Sequence, residues 1–346
     1  MHFVGDAAQA SLRFETHLTP NEPAVIAKNC DSATEISNDA EILQLPGRQV
    51  LEIRAVRELS QRSDAWGLSR AAAHLVCLVG GGYLVWHSHG SWLMWPAMFL
   101  LGATIVTMFA PMHECVHKTA FRSKWLNETV GWLAGALCFY NFTYYRRYHT
   151  WHHRYTQDAE RDPELSSPKP VGLLGYLWQI SGIPFWINKP RELATLAAGQ
   201  TEQFAFITPS ARRGIVWSAR AQLGLYVTLL AGSIALRTPL LLWYWLLPAI
   251  LAQPLLRPLL IVEHTGCSDD TNGLTNTRTT LASFPIRLLM WNMPYHAEHH
   301  LYPSIPFFCL PRAHVAIRRQ LAHIAPSYPA ANREVVRGLM VPPGKS

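Results

Sequence analysis

Four long apolar stretches, separated by strongly polar ones, set the frame of this chain. Residues 68–86 and 92–112 are each long enough, or nearly so, to cross a bilayer as a helix of roughly 20 residues. Only His87-Ser-His-Gly-Ser91 separates them, which predicts a tight helical hairpin. A second pair covers 216–236 and 240–262 and turns at Arg237-Thr-Pro239. Arg220 interrupts the third stretch near its start, where its stem can snorkel to the head groups. Pro248, Pro254 and Pro258 predict kinks in the fourth. Two shorter patches, 131–140 and 171–187, do not span: the first is too short, and Gly182 and Pro184 break the second. Both read as interfacial or buried against the bundle. The expected fold is all-α, an integral membrane bundle of four transmembrane helices in two hairpins, with a helical cap outside the bilayer. Residues 1–65 read as a polar arm, 66–325 as the membrane-bound domain and 326–346 as a tail.

Composition supports this reading. Of 346 residues, 49% are hydrophobic and only 15% charged, against about 25% charged in soluble domains. The net charge of +7 is uneven: residues 1–65 hold six Lys/Arg and ten Asp/Glu, so the remainder carries the positive excess. With these apolar runs, a basic surface suits anionic lipid head groups rather than nucleic acid. Twelve Lys/Arg lie in residues 113–213, none in the loop at 87–91, and Arg237 alone in the other. The positive-inside rule then places the central segment and both termini on the cytoplasmic side. Six dispersed cysteines form no CxxC pair and do not read as a disulfide framework or thiolate metal site. No cleavable signal peptide is expected at the N-terminus.

Nine histidines fall in four groups on that same side. They are His113-Glu-Cys-Val-His117, His149-Thr-Trp-His152-His153, the single His264, and His296-Ala-Glu-His299-His300. Positions i, i+3 and i+4 share a helix face, so each group projects its imidazoles together. Neutral imidazole suits zinc, copper, iron and nickel. Nine ligands exceed one mononuclear site, whereas two metals with four or five ligands each would use them. Iron fits an all-nitrogen pair with open positions best, although copper and zinc satisfy the same donors. The first group also satisfies HExxH, in which Glu114 would be the base of a zinc intramembrane protease. That alternative leaves both HxxHH groups unexplained. A non-catalytic metal-binding membrane protein is the third class. Transporters place ionisable ligands near the midplane, whereas these histidines lie at helix ends.

The series HxxxH, HxxHH, HxxHH across two helical hairpins resembles the membrane-bound fatty acid desaturases and hydroxylases. The likeness covers roughly 66–325 and is strongest at His113–His117, at Arg147-Tyr-His-Thr-Trp-His-His-Arg154, and at Asn292-Met-Pro-Tyr-His-Ala-Glu-His-His-Leu-Tyr-Pro303. The resemblance implies a non-haem di-iron centre on the cytosolic face and oxygen-dependent attack on an unactivated C–H bond. It also implies that His264 is a ninth ligand following the fourth span. Three residues rather than four separate the first pair of histidines, and the third box opens on His296 rather than Gln. Both features lean toward acyl-lipid, sphingolipid-like or more divergent members.

The expected activity is therefore fatty acid (acyl-lipid) desaturation with two Fe ions and O2. The alternatives are hydroxylation or ketolation, or another substrate: a sphingoid base, carotenoid, alkane or amino-acid-derived metabolite. The chain has no His-Pro-Gly-Gly haem segment, flavin-type GxGxxG or cysteine cluster. An external electron donor of ferredoxin or cytochrome b5 type is implied. Asp158, Asp162, Glu263, Glu298 and Asn292 are candidates to orient the ligand imidazoles, each equally readable as a surface acid or helix cap.

Overall fold

The computed structural model describes residues 50–166 and 169–340. The polar arm expected over 1–65 therefore lies outside the described residues up to position 49. Its last part forms a short helix, α1 (Ile53–Leu59), and Tyr302 Oη accepts from the Val50 and Leu51 amides at 3.1 and 2.8 Å.

The first hairpin forms as its hydropathy pattern predicts. α2 (Asp64–His87) starts at Ser63, whose hydroxyl accepts from the Trp66 amide. It presents Val76, Val79 and Trp86 outward. After the turn come α3 (Met94–Val106) and α4 (Phe109–Val116). Thr107 divides them, its hydroxyl donating to the Ala103 and Thr104 carbonyls at 2.7 and 3.1 Å, a back-bond that bends helices. Together they make a span of 23 residues at the centre of the core, with Met98, Ile105 and Met112 fully buried.

α5 (Lys124–Leu137) and α6 (Phe142–Tyr155) meet around Phe139, which has a left-handed φ of 67°. The short patch at 131–140 is thereby buried against the bundle. The Phe139 ring stacks on Trp245, whose Nε1 donates to the Leu137 carbonyl at 2.8 Å. α7 (Gly172–Ile180) and α8 (Ile183–Ala197) are separated at Gly182, again left-handed with φ 76°. α7 exposes Val171, Leu174 and Trp178 at its start and along its face, as an interfacial helix would.

The second pair departs from expectation. α9 (Pro209–Ala235) is long enough to span, but among the described residues only three helices are also apolar enough: Asp64–His87, Met94–Val116 and Leu242–Ile261. Arg220, Gln222, Thr228 and Ser233 dilute the apolar half of α9. The last span opens as a π-turn (Leu242–Leu246) and continues as α10 (Leu247–Ile261), helical through Pro254 and Pro258. α10 crosses α3 in backbone contact. A Cβ on Gly102 would lie 1.9 Å from the Pro248 carbonyl oxygen.

The cap is mostly helical: α11 (Phe284–Leu289), α12 (His296–Leu301), α13 (Leu310–Ile317) and α14 (Tyr328–Met340). It is not purely α. β1 (Arg278–Thr280) and β2 (His323–Ala325) pair in parallel, Thr279 opposite Ile324. Three-residue strands are too short to register as an alternating pattern. α14 occupies most of the expected tail and packs on the bundle. Its Asn332 accepts from Tyr176 Oη at 2.7 Å and donates to the Pro258 carbonyl at 3.1 Å.

Candidate metal centre

Three helix ends and one turn deliver the nine histidines to a single place. α4 carries His113 and ends on His117, where Lys118 turns left-handed with φ 58°. α6 supplies His149, His152 and His153, starting from Asn141, whose side chain accepts from the Tyr144 amide at 3.0 Å. His264 stands on the turn after α10. There the Arg278 guanidinium donates to the carbonyls of Val262 and Thr265, while the Arg278 amide donates to that of Glu263 at 2.8 Å. α12 carries His296, His299 and His300, all buried.

The rings sort into two groups. Ligand atoms of His113, His117, His149, His153 and His299 all lie within 4.8 Å of one another, as do those of His152, His264 and His300. His296 adjoins the second group, its ring centroid 4.5 Å from His300 and 5.1 Å from His264. Facing nitrogens approach closely: His149 Nε2 to His153 Nε2 at 2.9 Å, His117 Nε2 to His299 Nε2 at 3.2 Å, and His152 Nε2 to His264 Nε2 at 3.2 Å. Nitrogens about 2.1 Å from one ion stand roughly 3.0–3.4 Å apart at octahedral to tetrahedral angles. His113 Nε2 and His300 Nε2 are buried with no hydrogen-bond partner. The donor set thus fits two metal ions.

Electrostatics favour the neutral, ligating form. Burial, then the charges of Arg146 and His152, pulls His117 down to about 3. Burial and His152 do the same to His264, also to about 3. Burial and neighbouring imidazoles hold His149, His153, His296, His299 and His300 well below the ordinary value. His152 differs. Burial lowers it, but the charge of Glu164 and the hydrogen bond to Asp162 outweigh burial and leave it raised.

Several far-side ring nitrogens are held. His152 Nδ1 bonds Asp162 Oδ1 at 2.9 Å, and His264 Nδ1 bonds the Asn276 carbonyl at 3.2 Å. His149 Nδ1 faces Tyr145 Oη at 3.3 Å, and His300 Nδ1 faces Thr156 Oγ1 at 3.2 Å. Such contacts fix ring orientation at metal sites. Of the five candidates from the sequence, Asp162 and Glu263 reach a box histidine; Glu263 Oε2 is 3.5 Å from His296 Nε2. Asp158 instead pairs with Arg161, within its own turn. Asn292, left-handed at φ 56°, donates to the Phe307 carbonyl at 3.0 Å rather than orienting His296. Glu298 faces away from the rings beside it. It accepts from Thr279 Oγ1 and bonds His314 Nδ1, both at 2.5 Å, and so pins α12 between β1 and α13. Tyr145 stands one helical turn before His149, a spacing visible in the sequence. Asn276, Thr279, Glu164 and His314 come together only through the tertiary fold.

Glu114 of the embedded HExxH accepts from Thr119 Oγ1 at 3.0 and 3.3 Å. The two histidines of that motif share their cluster with three more, which a protease site does not use.

The fatty acid desaturase family model matches residues 90–331, a stretch containing all nine of these histidines. The chain belongs to this family. Among curated relatives of this desaturase-family protein, an sn-1 oleoyl-lipid 12-desaturase of Picosynechococcus sp. is 26% identical over 304 residues, covering 81% of this chain and 82% of the relative. Dihydrorhizobitoxine desaturase of Bradyrhizobium elkanii is 29% identical over 240 residues, 64% of this chain and 67% of the relative. An sn-1 acyl-lipid omega-3 desaturase (ferredoxin) of Nostoc sp. is 28% identical over 88 residues, 25% of this chain and 24% of the relative. The protein is a desaturase-like oxidoreductase with apolar helices fit to cross a membrane and a histidine cluster compatible with metal binding.

Proposed function

We propose that this chain is an oxygen-dependent di-iron desaturase that introduces a C=C bond into the acyl chain of a membrane lipid. The observation that carries this reading is the division of nine imidazoles into sets of five and four with ligand-range spacings. His113, His117, His149, His153 and His299 would hold one iron, and His152, His264, His296 and His300 the other. A reduced iron pair supplies the dioxygen activation needed to remove hydrogen from an unactivated methylene pair. Reducing O2 to two waters takes four electrons: two come from the two C–H bonds and two from an external donor. The protein's part is to keep its imidazoles neutral and aimed. Asp162 and the Asn276 carbonyl take the far-side protons of His152 and His264, leaving each Nε2 lone pair directed inward.

Topology supports four crossings. His117 follows one span and His264 follows another, yet both join the same histidine cluster. On this reading the chain recrosses between His153 and Leu242. α9, with 27 residues and a length of about 40 Å, is the described helix able to do so. The positive excess in residues 113–213 favours the cytoplasmic side for the site and both termini. On that basic face a ferredoxin or cytochrome b5 type donor would dock, and the ferredoxin named for the Nostoc relative favours the former. The catalytic unit is 66–325, extended by α14.

The identity to dihydrorhizobitoxine desaturase favours a second reading, an amino-acid-derived substrate at the same centre. Expression in a bacterial host, with lipids and small metabolites compared by mass spectrometry against His299→Ala, tests both. The first reading expects acyl lipids lighter by two hydrogens in the wild type alone. A lighter polar metabolite instead selects the second, and a product heavier by one oxygen contradicts desaturation.

A further inference from the structure

The two histidine groups differ in what surrounds them. Among the described residues the five-histidine set has no carboxylate oxygen within 4.0 Å of its ring nitrogens, whereas His152 and His296 of the other set do. Beside the four-histidine set, apart from Asp162 on the far-side nitrogen of His152, stand two carboxylates that face Nε2 atoms. Glu164 Oε2 is 3.8 Å from His152 Nε2, on a side chain 37% exposed. Glu263 Oε2 is 3.5 Å from His296 Nε2, on a residue only 9% exposed. The other oxygen of Glu263, Oε1, is shut off from solvent and has no hydrogen-bond partner.

That state is costly for a structural residue. A buried acid is rarely left without a paired charge, a full set of hydrogen bonds or a metal. A hydrogen bond from His296 to Oε2 would occupy one oxygen and still leave Oε1 bare. The carboxylate is not there through loose placement. Its backbone carbonyl accepts from the Arg278 amide at 2.8 Å, and the Arg278 side chain grips the carbonyls on either side of the turn. The next residue, His264, is itself in the cluster.

We propose that Glu263 is a metal ligand, the fifth protein donor of the four-histidine site. This rests on the two-metal reading above. Each ion then has five protein donors, one set all nitrogen and the other four nitrogens and one oxygen. The two ions are chemically distinct, and the carboxylate offsets part of the second ion's charge in a buried setting.

Full-length protein in detergent, reconstituted anaerobically with iron-57 as the ferrous ion, tests this by elemental analysis and Mössbauer spectroscopy. Wild type should hold two irons per chain as two doublets of equal area. Glu263→Gln keeps the shape and the contact to His296 but is a poor iron ligand. It should lose one iron and one doublet while the other doublet is unchanged. Glu263→Asp should restore part of the lost doublet. Size-exclusion profiles and thermal melts verify that each variant is folded. If Glu263→Gln does not survive purification, Glu263→Asp alone decides, by a shift confined to one doublet. Two irons with both doublets unchanged in Glu263→Gln would overturn the assignment, as would equal loss in Gln and Asp. Fewer than two irons in the wild type would instead overturn the two-metal reading beneath it.

Discussion

Asp162 and Asp158 stand four residues apart, and only the first serves an imidazole. Asp162 reaches His152 because its loop folds back over α6, whereas Asp158 closes its own turn with Arg161. Asp162→Ala is expected to weaken metal binding about 10–100-fold, measured by competition with a chelator. His152→Ala and His299→Ala are expected to abolish turnover while leaving membrane insertion unchanged; full activity in either would exclude these rings from the centre. The depressed imidazoles also set a pH dependence. Folded rings bind protons less readily than unfolded ones near 6.5, so protons favour the unfolded chain. Stability of the metal-free protein should be complete above about pH 6.5 and fall as pH drops toward 3. Thermal melts between pH 7.5 and 4 check this, and a flat series would contradict it. At this scale the clustering of the histidines was legible because i, i+3, i+4 spacing is a local property. The Glu298–Thr279–His314 contact was not, since its members come from three elements.

Elements were legible in proportion to their length. The long apolar runs became α2, α3–α4 and α10, and the break at Gly182 fell where the sequence placed it. The strands at 278–280 and 323–325 escaped because three residues carry no readable period. Two contacts between elements are decisive. At the α3–α10 crossing, Gly102→Ala would drive a methyl into the Pro248 carbonyl, and the expected cost is about 1–3 kcal/mol or more. A lowered melting temperature with iron content preserved in the surviving fraction is the predicted result. In the cap, Thr279→Val removes a hydroxyl from the buried Glu298 carboxylate and should destabilise by about 1–3 kcal/mol. Because that contact anchors α12, weaker iron retention should accompany the loss.

At the level of the whole molecule, the proposed place of the centre follows from charge and hydropathy together. Spans that end on His117 and near His264 bring their ends together only if both face one side, and the proposal assigns the basic segments to that side. The pattern alone overestimated the apolar character of α9, and the fourth crossing belongs to the proposal, argued from the position of His264. The helical frame, the three apolar spans and the carboxylates Asp162 and Glu263 were readable before any coordinates, whereas Asn276, Thr279 and His314, brought in by the tertiary fold, were not. Elemental analysis of the purified full-length protein bears most directly on the central claim. Two irons per chain, with negligible zinc, is the predicted result; one zinc and no iron would contradict it.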